Sequence, residues 1–457
     1  MLETLARLAW APGRNPRGLS HPGVCPVDFR DIFGYSVGVE KDLPLEQKLA
    51  ILTDLATDDR EGPRPPRLRN TKSVGALRPL NIRQVRVGRW KTTLLRILMT
   101  NACSYNCHYC PMRRDRNMPR TLLKPEELVK IFLAARAKGW CEGLFITTGI
   151  PGRPQKVIDD LITVLELLRV KHQFTGYVHV KMPPGGQPAQ IERLTALASR
   201  VSINLETPCG QTLEQIAPEK SLGETLVSLE RSRTLVNLAR EAERDGKRRD
   251  LLAPGGVAGM TMQFVVGATP DDDRSIVGRV TALYAGGGIH HAHFSAFRPI
   301  RDTPMENTRA TPALREQRLY QVDYLLRQYG FGPGEIVYDD TGHLPLITDP
   351  KCAWALAHPA SFPVEVTTAD YETLMRVPGI GPLSARRLVA ERHATAIRGL
   401  ADLRKLGVIT KRAAGFVTLR GRRLNPVRWE QQLGIWRPED EIGSYHRVYE
   451  VSPGTFR

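Results

Sequence analysis

Three cysteines within eight residues constrain this chain more than any other feature. Cys103, Cys107 and Cys110 stand at spacing C-x3-C-x2-C, directly after the apolar run 94–99, which reads as a buried strand. A loop leaving a strand end gathers such a triplet, and three thiolates so close together can hold a metal. Structural zinc takes four ligands, usually two pairs from separate segments, and the chain has no second C-x2-C. His108, wedged between Cys107 and Cys110, is too tightly placed to join both neighbours on one tetrahedron. A four-iron cluster normally takes four thiolates, so three leave one iron open to a substrate or cofactor. A structural zinc knuckle and three unpaired thiols are the alternatives.

Past the cysteines, strand and helix patterns alternate. A helix is expected from Pro125 at its first turn to a stop at Gly139, then a strand over 144–149, a helix over 154–170 and a strand over 177–182. A helix over 188–199, a strand over 201–206 and helical text over 222–244 follow. The last units are a strand over 260–268 with a helix over 271–284, and a strand over 291–297 with a helix over 312–329. With the strand before the cysteines this makes six strand–helix units. Strands alternating with helices imply an α/β fold with a parallel sheet covered by helices. Upstream, residues 43–57 have helical spacing of Leu and Ile, whereas 58–89 are rich in Pro, Arg and Gly and read as a basic loop. Residues 1–40 read as an irregular arm.

The 457 residues suffice for two or three domains, and 41% hydrophobic residues supply a core. No apolar stretch reaches the roughly 20 residues that span a bilayer, and the first residues are too short and broken in their apolar run for a secretory signal. Seven cysteines, three of them in one loop, argue against a disulfide framework, so cytoplasmic residence is expected. The others, Cys25, Cys141, Cys209 and Cys352, are scattered singly and read as free thiols rather than a second cluster. His290, His291 and His293 read as an ordinary polar strand start. The net charge of +17 calls for an anionic partner or a solvated arginine-rich surface. Residues 370–428 alone carry 13 Lys and Arg against 4 Asp and Glu, and 60–96 carry 11 against one.

The cysteine spacing with the aromatic Tyr109 directly before the last cysteine resembles the signature of radical S-adenosylmethionine (radical SAM) enzymes. That resemblance implies a partial (β/α)6 barrel, one 4Fe-4S cluster on Cys103, Cys107 and Cys110, and SAM chelated at the open iron. The sulfonium is then broken to a 5'-deoxyadenosyl radical that removes a substrate hydrogen. Parallel barrels place chemistry at the C-terminal strand ends. Thr147, Thr148 and Gly149 fall where the superfamily often has Gly-Gly-Glu against the SAM amino group, and this chain lacks the acid. Asn204 and Glu206 fall near the expected ribose, and Val266 and Gly267 near the expected adenine. A satisfied loop polar group is the alternative at each.

Residues 368–393 end the informative text. Val377-Pro378-Gly379-Ile380-Gly381 lies between two helical stretches and resembles the hairpin of a helix-hairpin-helix DNA-binding motif. Two glycines would let backbone N–H groups approach a phosphate, with Arg386 and Arg387 adding charge. Residues 399–417 read as a degenerate second copy around Leu406-Gly407-Val408. A helical hairpin used for protein contacts is the alternative. Together with APEK at 217–220, QFVVGATPDDD, SAFRPI and DPKCAWAL, the two halves resemble the radical SAM family associated with DNA modification or repair. That resemblance implies DNA held by its backbone, an electron donor, and a uracil-DNA-glycosylase-like partner protein. RNA modification and a non-catalytic iron–sulfur nucleic-acid-binding protein are the competing readings. The expected domains are 1–89 (arm, helix and basic loop), 90–335 (radical SAM core), 336–365 (linker), 366–425 (all-α helix-hairpin-helix domain) and 426–457 (tail).

Overall fold

The computed structural model describes residues 43–55, 80–87, 90–246, 259–392 and 397–424. The 1–40 arm with Cys25, most of the basic loop and the 426–457 tail lie outside the described residues. Contact density divides the chain into two compact units. One holds the chain to Gln263 with 286–290 and 298–309, and the other holds 264–285, 291–297 and everything from Ala310.

A seven-stranded sheet runs in simple chain order: β1 (Asn81–Val87), β2 (Trp90–Leu98), β3 (Gly143–Thr147), β4 (Val178–Met182), β5 (Arg200–Glu206), β6 (Gly259–Val266) and β7 (Ile289–Ala296). β2 to β5 are parallel, with Leu98 beside Thr147, Ile146 beside Val180 and Met182 beside Ile203. After α1 (Leu45–Leu55) come the helices of the six expected units: α2 (Pro125–Ala137), α3 (Pro154–Glu166), α4 (Pro188–Leu197), α5 (Gly210–Ile216) with α6 (Leu222–Arg244), α7 (Asp273–Ala285) and α8 (Ala313–Gln328). This is the expected partial (β/α)6 arrangement. Helix punctuation follows the sequence: Pro opens α2, α3 and α4, where its missing N–H costs nothing. Gly139 ends the α2 turn at φ +70°.

Three expectations are corrected. The basic loop ends in β1, which pairs antiparallel with β2 from Asn81 opposite Arg96 to Val87 opposite Trp90. The 336–365 segment carries α9 (Pro350–Ala357), whose Asp349 cap accepts from the Cys352 N–H and whose Lys351 and Trp354 are buried. The C-terminal region is also not all-helical. β8 (Val364–Glu365), β9 (Val417–Leu419) and β10 (Arg422–Arg423) form a small sheet in the order β10-β9-β8. Strands of two or three residues give no periodicity to read, so only tertiary pairing reveals them.

Candidate active site at the strand ends

The cysteine loop leaves β2 and is tied down from three sides. The β3 exit holds its start: the Met99 N–H donates to the Thr147 carbonyl at 2.9 Å, Gly149 N–H to Thr100 at 2.7 Å, and Ser104 N–H to Ile150 at 2.7 Å. Gly149 is required here. A Cβ would stand 2.2 Å from the Ala102 carbonyl oxygen, so only glycine lets the two segments touch. From the α5 side, the His108 N–H donates to Ile216 at 2.7 Å and Asn106 N–H to the Glu219 carboxylate at 3.0 Å. The third tie is Arg120, 3% exposed. Its guanidinium donates to the carbonyls of Asn101 (2.7 Å), Met112 (2.7 Å), Arg113 (2.6 Å) and Arg116 (2.9 Å). One rigid fork of donors thereby closes the loop from both ends.

The three thiols are free. Burial pushes the Cys107 thiol up to about 11, Lys220 works against that, and Cys103 adds to it. The Cys110 thiol is raised in the same way, by burial first and then by Cys107 and Cys103, so the three sulfurs lie within electrostatic reach of one another. Among the described residues no group of three or more His, Cys, Asp or Glu gathers around one metal ion. A four-iron cube makes a different demand, because each thiolate binds its own iron. The donor set, three thiols with no fourth beside them among the described residues, fits a cluster with one open iron.

Beside the loop, Tyr109, Glu206 and Lys220 form a buried polar cluster. The Lys220 ammonium lies 2.6 Å from Glu206 Oε1 and 3.3 Å from the Tyr109 hydroxyl. Burial alone would neutralise both charges. The short contact outweighs it, holding Lys220 above and Glu206 below their ordinary values. Burial and the Glu206 charge raise the Tyr109 phenol, which stays neutral. Glu206 ends β5 at φ +67°, a left-handed conformation rare outside glycine. Its Oε2, and Oδ1 of Asn204 on the same strand face, are buried without a hydrogen-bond partner. Orphaned acceptors at the C-terminal end of β5 fit the hydroxyl donors of a ribose.

The remaining expected contacts are placed as follows. Thr147 is buried in β3, and the Thr148 hydroxyl donates to the Gly149 carbonyl at 2.7 Å. Val266 is fully buried, and its carbonyl accepts from the Phe297 N–H and the Thr311 hydroxyl, each at 2.9 Å. Gly267 adopts φ +78° with the Thr311 hydroxyl filling its Cβ position, so packing explains this glycine. His291 and His293 do share a face, their rings 4.2 Å apart. Cys141 and Cys352 are buried and Cys209 is half-buried, and none of the three is in a disulfide. Sequence reasoning missed Lys220 and Arg120 as site residues, although APEK and the run of basic residues after the cysteines marked both places.

In the second unit, α10 (Tyr371–Arg376) and α11 (Pro382–Glu391) flank the Val377–Gly381 turn, and α12 (Leu400–Lys405) and α13 (Thr410–Ala413) flank the second copy. The two hairpins pair, the Ile409 N–H donating to the Gly379 carbonyl at 2.9 Å and the Ser384 hydroxyl to the Gly407 carbonyl at 2.7 Å. A Cβ on Gly379 would meet the Ile409 carbonyl at 2.6 Å, so this glycine admits the other hairpin. Val377 and Ile380 are buried. Gly381 caps α11, and Arg386 and Arg387 are exposed on it.

Residues 97–241 match the profile of the family described as the Radical SAM superfamily. Solved structures with a similar fold include the FeFe-hydrogenase maturase HydG from Carboxydothermus hydrogenoformans, at 15% identity, TM-score 0.37 and 50% of each chain. Methylornithine synthase (PylB) is similar at 13% identity and TM-score 0.39, over 50% of this chain and 60% of that one. The radical SAM methyltransferase TsrM from Kitasatospora setae is similar at 17% identity and TM-score 0.33, over 48% and 38%. The chain thus spans about half the length of these structures. No curated protein matches it.

Proposed function

A radical SAM superfamily domain occupies residues 97–241 of this chain, and from that premise we propose that the protein is a radical SAM iron–sulfur enzyme that modifies or repairs DNA. The observation carrying the enzymatic half is the anchored three-thiol loop beside orphaned acceptors at the end of β5. When bound, a 4Fe-4S cluster with SAM supplies a 5'-deoxyadenosyl radical that abstracts hydrogen. Cys103, Cys107 and Cys110 hold the cluster in this reading. Arg120 and Gly149 fix their loop, Tyr109 would help hold SAM, and Asn204 and Glu206 would accept from its ribose. Lys220 keeps Glu206 ionised at neutral pH.

The DNA half is supported by the paired hairpins and by their charge. Arg386 and Arg387 are exposed beside the Gly381 cap, in a stretch with a large basic excess. Such a surface grips phosphates without reading sequence. A base within a duplex is shielded, so a flipped, terminal or single-stranded nucleotide is the substrate. The reading places the protein in the cytoplasm with an electron donor and a uracil-DNA-glycosylase-like partner. Among the described residues no helix is long and apolar enough to cross a membrane.

Anaerobic reconstitution with iron and sulfide tests this, followed by reduction with SAM in the presence and absence of duplex and single-stranded DNA. Production of 5'-deoxyadenosine that rises with DNA is expected. Production indifferent to DNA but raised by RNA would move the substrate to RNA. An intact cluster that never cleaves SAM would overturn the enzymatic reading.

A further inference from the structure

Alternate residues of β5, Arg200, Ser202, Asn204 and Glu206, point to one face of the sheet. The register identifies that face. Arg200 stands beside His179 and His179 beside Phe145. The Phe145 and His179 rings lie 4.6 Å apart, with the Arg96 guanidinium 4.3 Å from the Phe145 centroid. The intervening Val201, Ile203 and Leu205 are buried on the opposite, apolar face. Lys181, two residues beyond His179, shares the polar face and donates to Gln263 Oε1 at 3.0 Å. Gln263 therefore belongs to it too, as does Thr261 two residues earlier.

This face is buried but chemically unfinished. Arg200 Nε, Ser202 Oγ, Asn204 Oδ1, Glu206 Oε2 and Thr261 Oγ1 all lack a hydrogen-bond partner. Arg200, Ser202, Glu206 and Thr261 are 2%, 3%, 2% and 1% exposed. A buried polar atom without a partner is destabilising, and five on adjoining strand positions mark a place where a ligand completes the bonds. The column is also longer than one cofactor contact. From Arg200 to Glu206 it runs about 20 Å at about 3.3 Å per residue, whereas a ribose diol offers two neighbouring hydroxyls. Asn204 and Glu206 at the upper end satisfy that diol. The lower orphans are left for a second molecule.

We propose that Ser202 and Thr261, with Lys181 and Gln263 beside them, form a substrate subsite that binds the edge of a nucleobase. The proposal rests on the reading of the substrate as a nucleotide unit, and it places that unit's base. Two hydroxyls and an amide both donate and accept, and an ammonium donates. A base edge presents the complementary row of carbonyl or ring-nitrogen acceptors and N–H donors. Lys220 already balances the Glu206 charge, so Lys181 and Arg200 leave the face cationic and favour a carbonyl-bearing edge. An apolar occupant would leave every orphan as it is.

Titration of the full-length protein, without cluster or SAM, with the four deoxynucleoside 5'-monophosphates in a calorimeter tests the subsite. At least one binds, and Thr261→Val and Ser202→Ala each weaken it about tenfold, or about 1.4 kcal/mol. Without nucleotide, Thr261→Val melts at or above the wild-type temperature, because an isosteric methyl relieves an orphaned hydroxyl. No binding by any monophosphate, binding indifferent to both variants, or a lowered melting temperature for Thr261→Val would each overturn the proposal. The same samples titrated with oligonucleotides separate it from the DNA reading. Oligonucleotides that bind through Arg386 and Arg387 while monophosphates do not would sink the subsite alone. Monophosphate binding that depends on Ser202 and Thr261, with no oligonucleotide binding, would uphold the subsite and sink the polymer.

Discussion

Two residues at the cysteine loop show how little of a site can be read from its ligands. The resemblance implies a cofactor contact at Gly149, and the structure gives this glycine a steric reason as well: a methyl group there would collide with the Ala102 carbonyl. Gly149→Ala is expected to destabilise the protein by at least about 2 kcal/mol and to lower iron incorporation, read by thermal melting and iron analysis. Arg120 donates to four main-chain carbonyls around the loop. Arg120→Met should cost about 2–4 kcal/mol, and Arg120→Lys should recover only part of it, because an ammonium lacks the planar fork. Equal melting temperatures for wild type and Arg120→Met would refute that role. The cysteines were legible because their chemistry is local. Arg120 was not, because an arginine's partners lie wherever the loop returns.

Among elements, the paired hairpins change the meaning of the glycines in VPGIG. Both were expected to admit a phosphate, yet Gly379, at φ +85°, has its Cβ space occupied by the second hairpin. Gly379→Ala should therefore lower the melting temperature before any DNA is added, with a larger loss than Gly399→Ala, where a Cβ meets nothing within 4 Å. The small C-terminal sheet has its own pH dependence. Glu365 accepts from the Arg420 and Gly421 N–H groups at 3.0 and 2.9 Å and from Thr367. Burial works the other way, yet these bonds hold the carboxyl down to about 2. A depressed folded pKa stabilises above the unfolded value, about 4.3 for Glu, and that stability is lost as pH falls toward 2. The gap in stability between wild type and Glu365→Gln should be constant above about pH 5 and close on acidification, as followed by chemical denaturation.

At the scale of the whole molecule, the charge excess becomes testable as a salt dependence. If the hairpin unit grips DNA, the slope of log affinity against log salt should fall by about 2 when Arg386 and Arg387 are both changed to alanine, with little change in melting. An unchanged slope would leave the basic stretch as a solvated surface. The sequence by itself determined the alternation of six strands and helices, the cysteine triplet and the α10–α11 hairpin. Each is written in local signals, such as periodicity, Pro and Gly punctuation and ligand spacing, that need no knowledge of distant residues. Only the tertiary structure decided that β1 joins the sheet and that Lys220 sits on Glu206. It alone shows that Gly379 faces another hairpin and that four alternate positions of β5 each carry a buried polar atom without a hydrogen-bond partner. Those depend on which segments return to meet each other, and a chain's hydrogen-bond partners far along the sequence are fixed by packing rather than by any pattern around either residue.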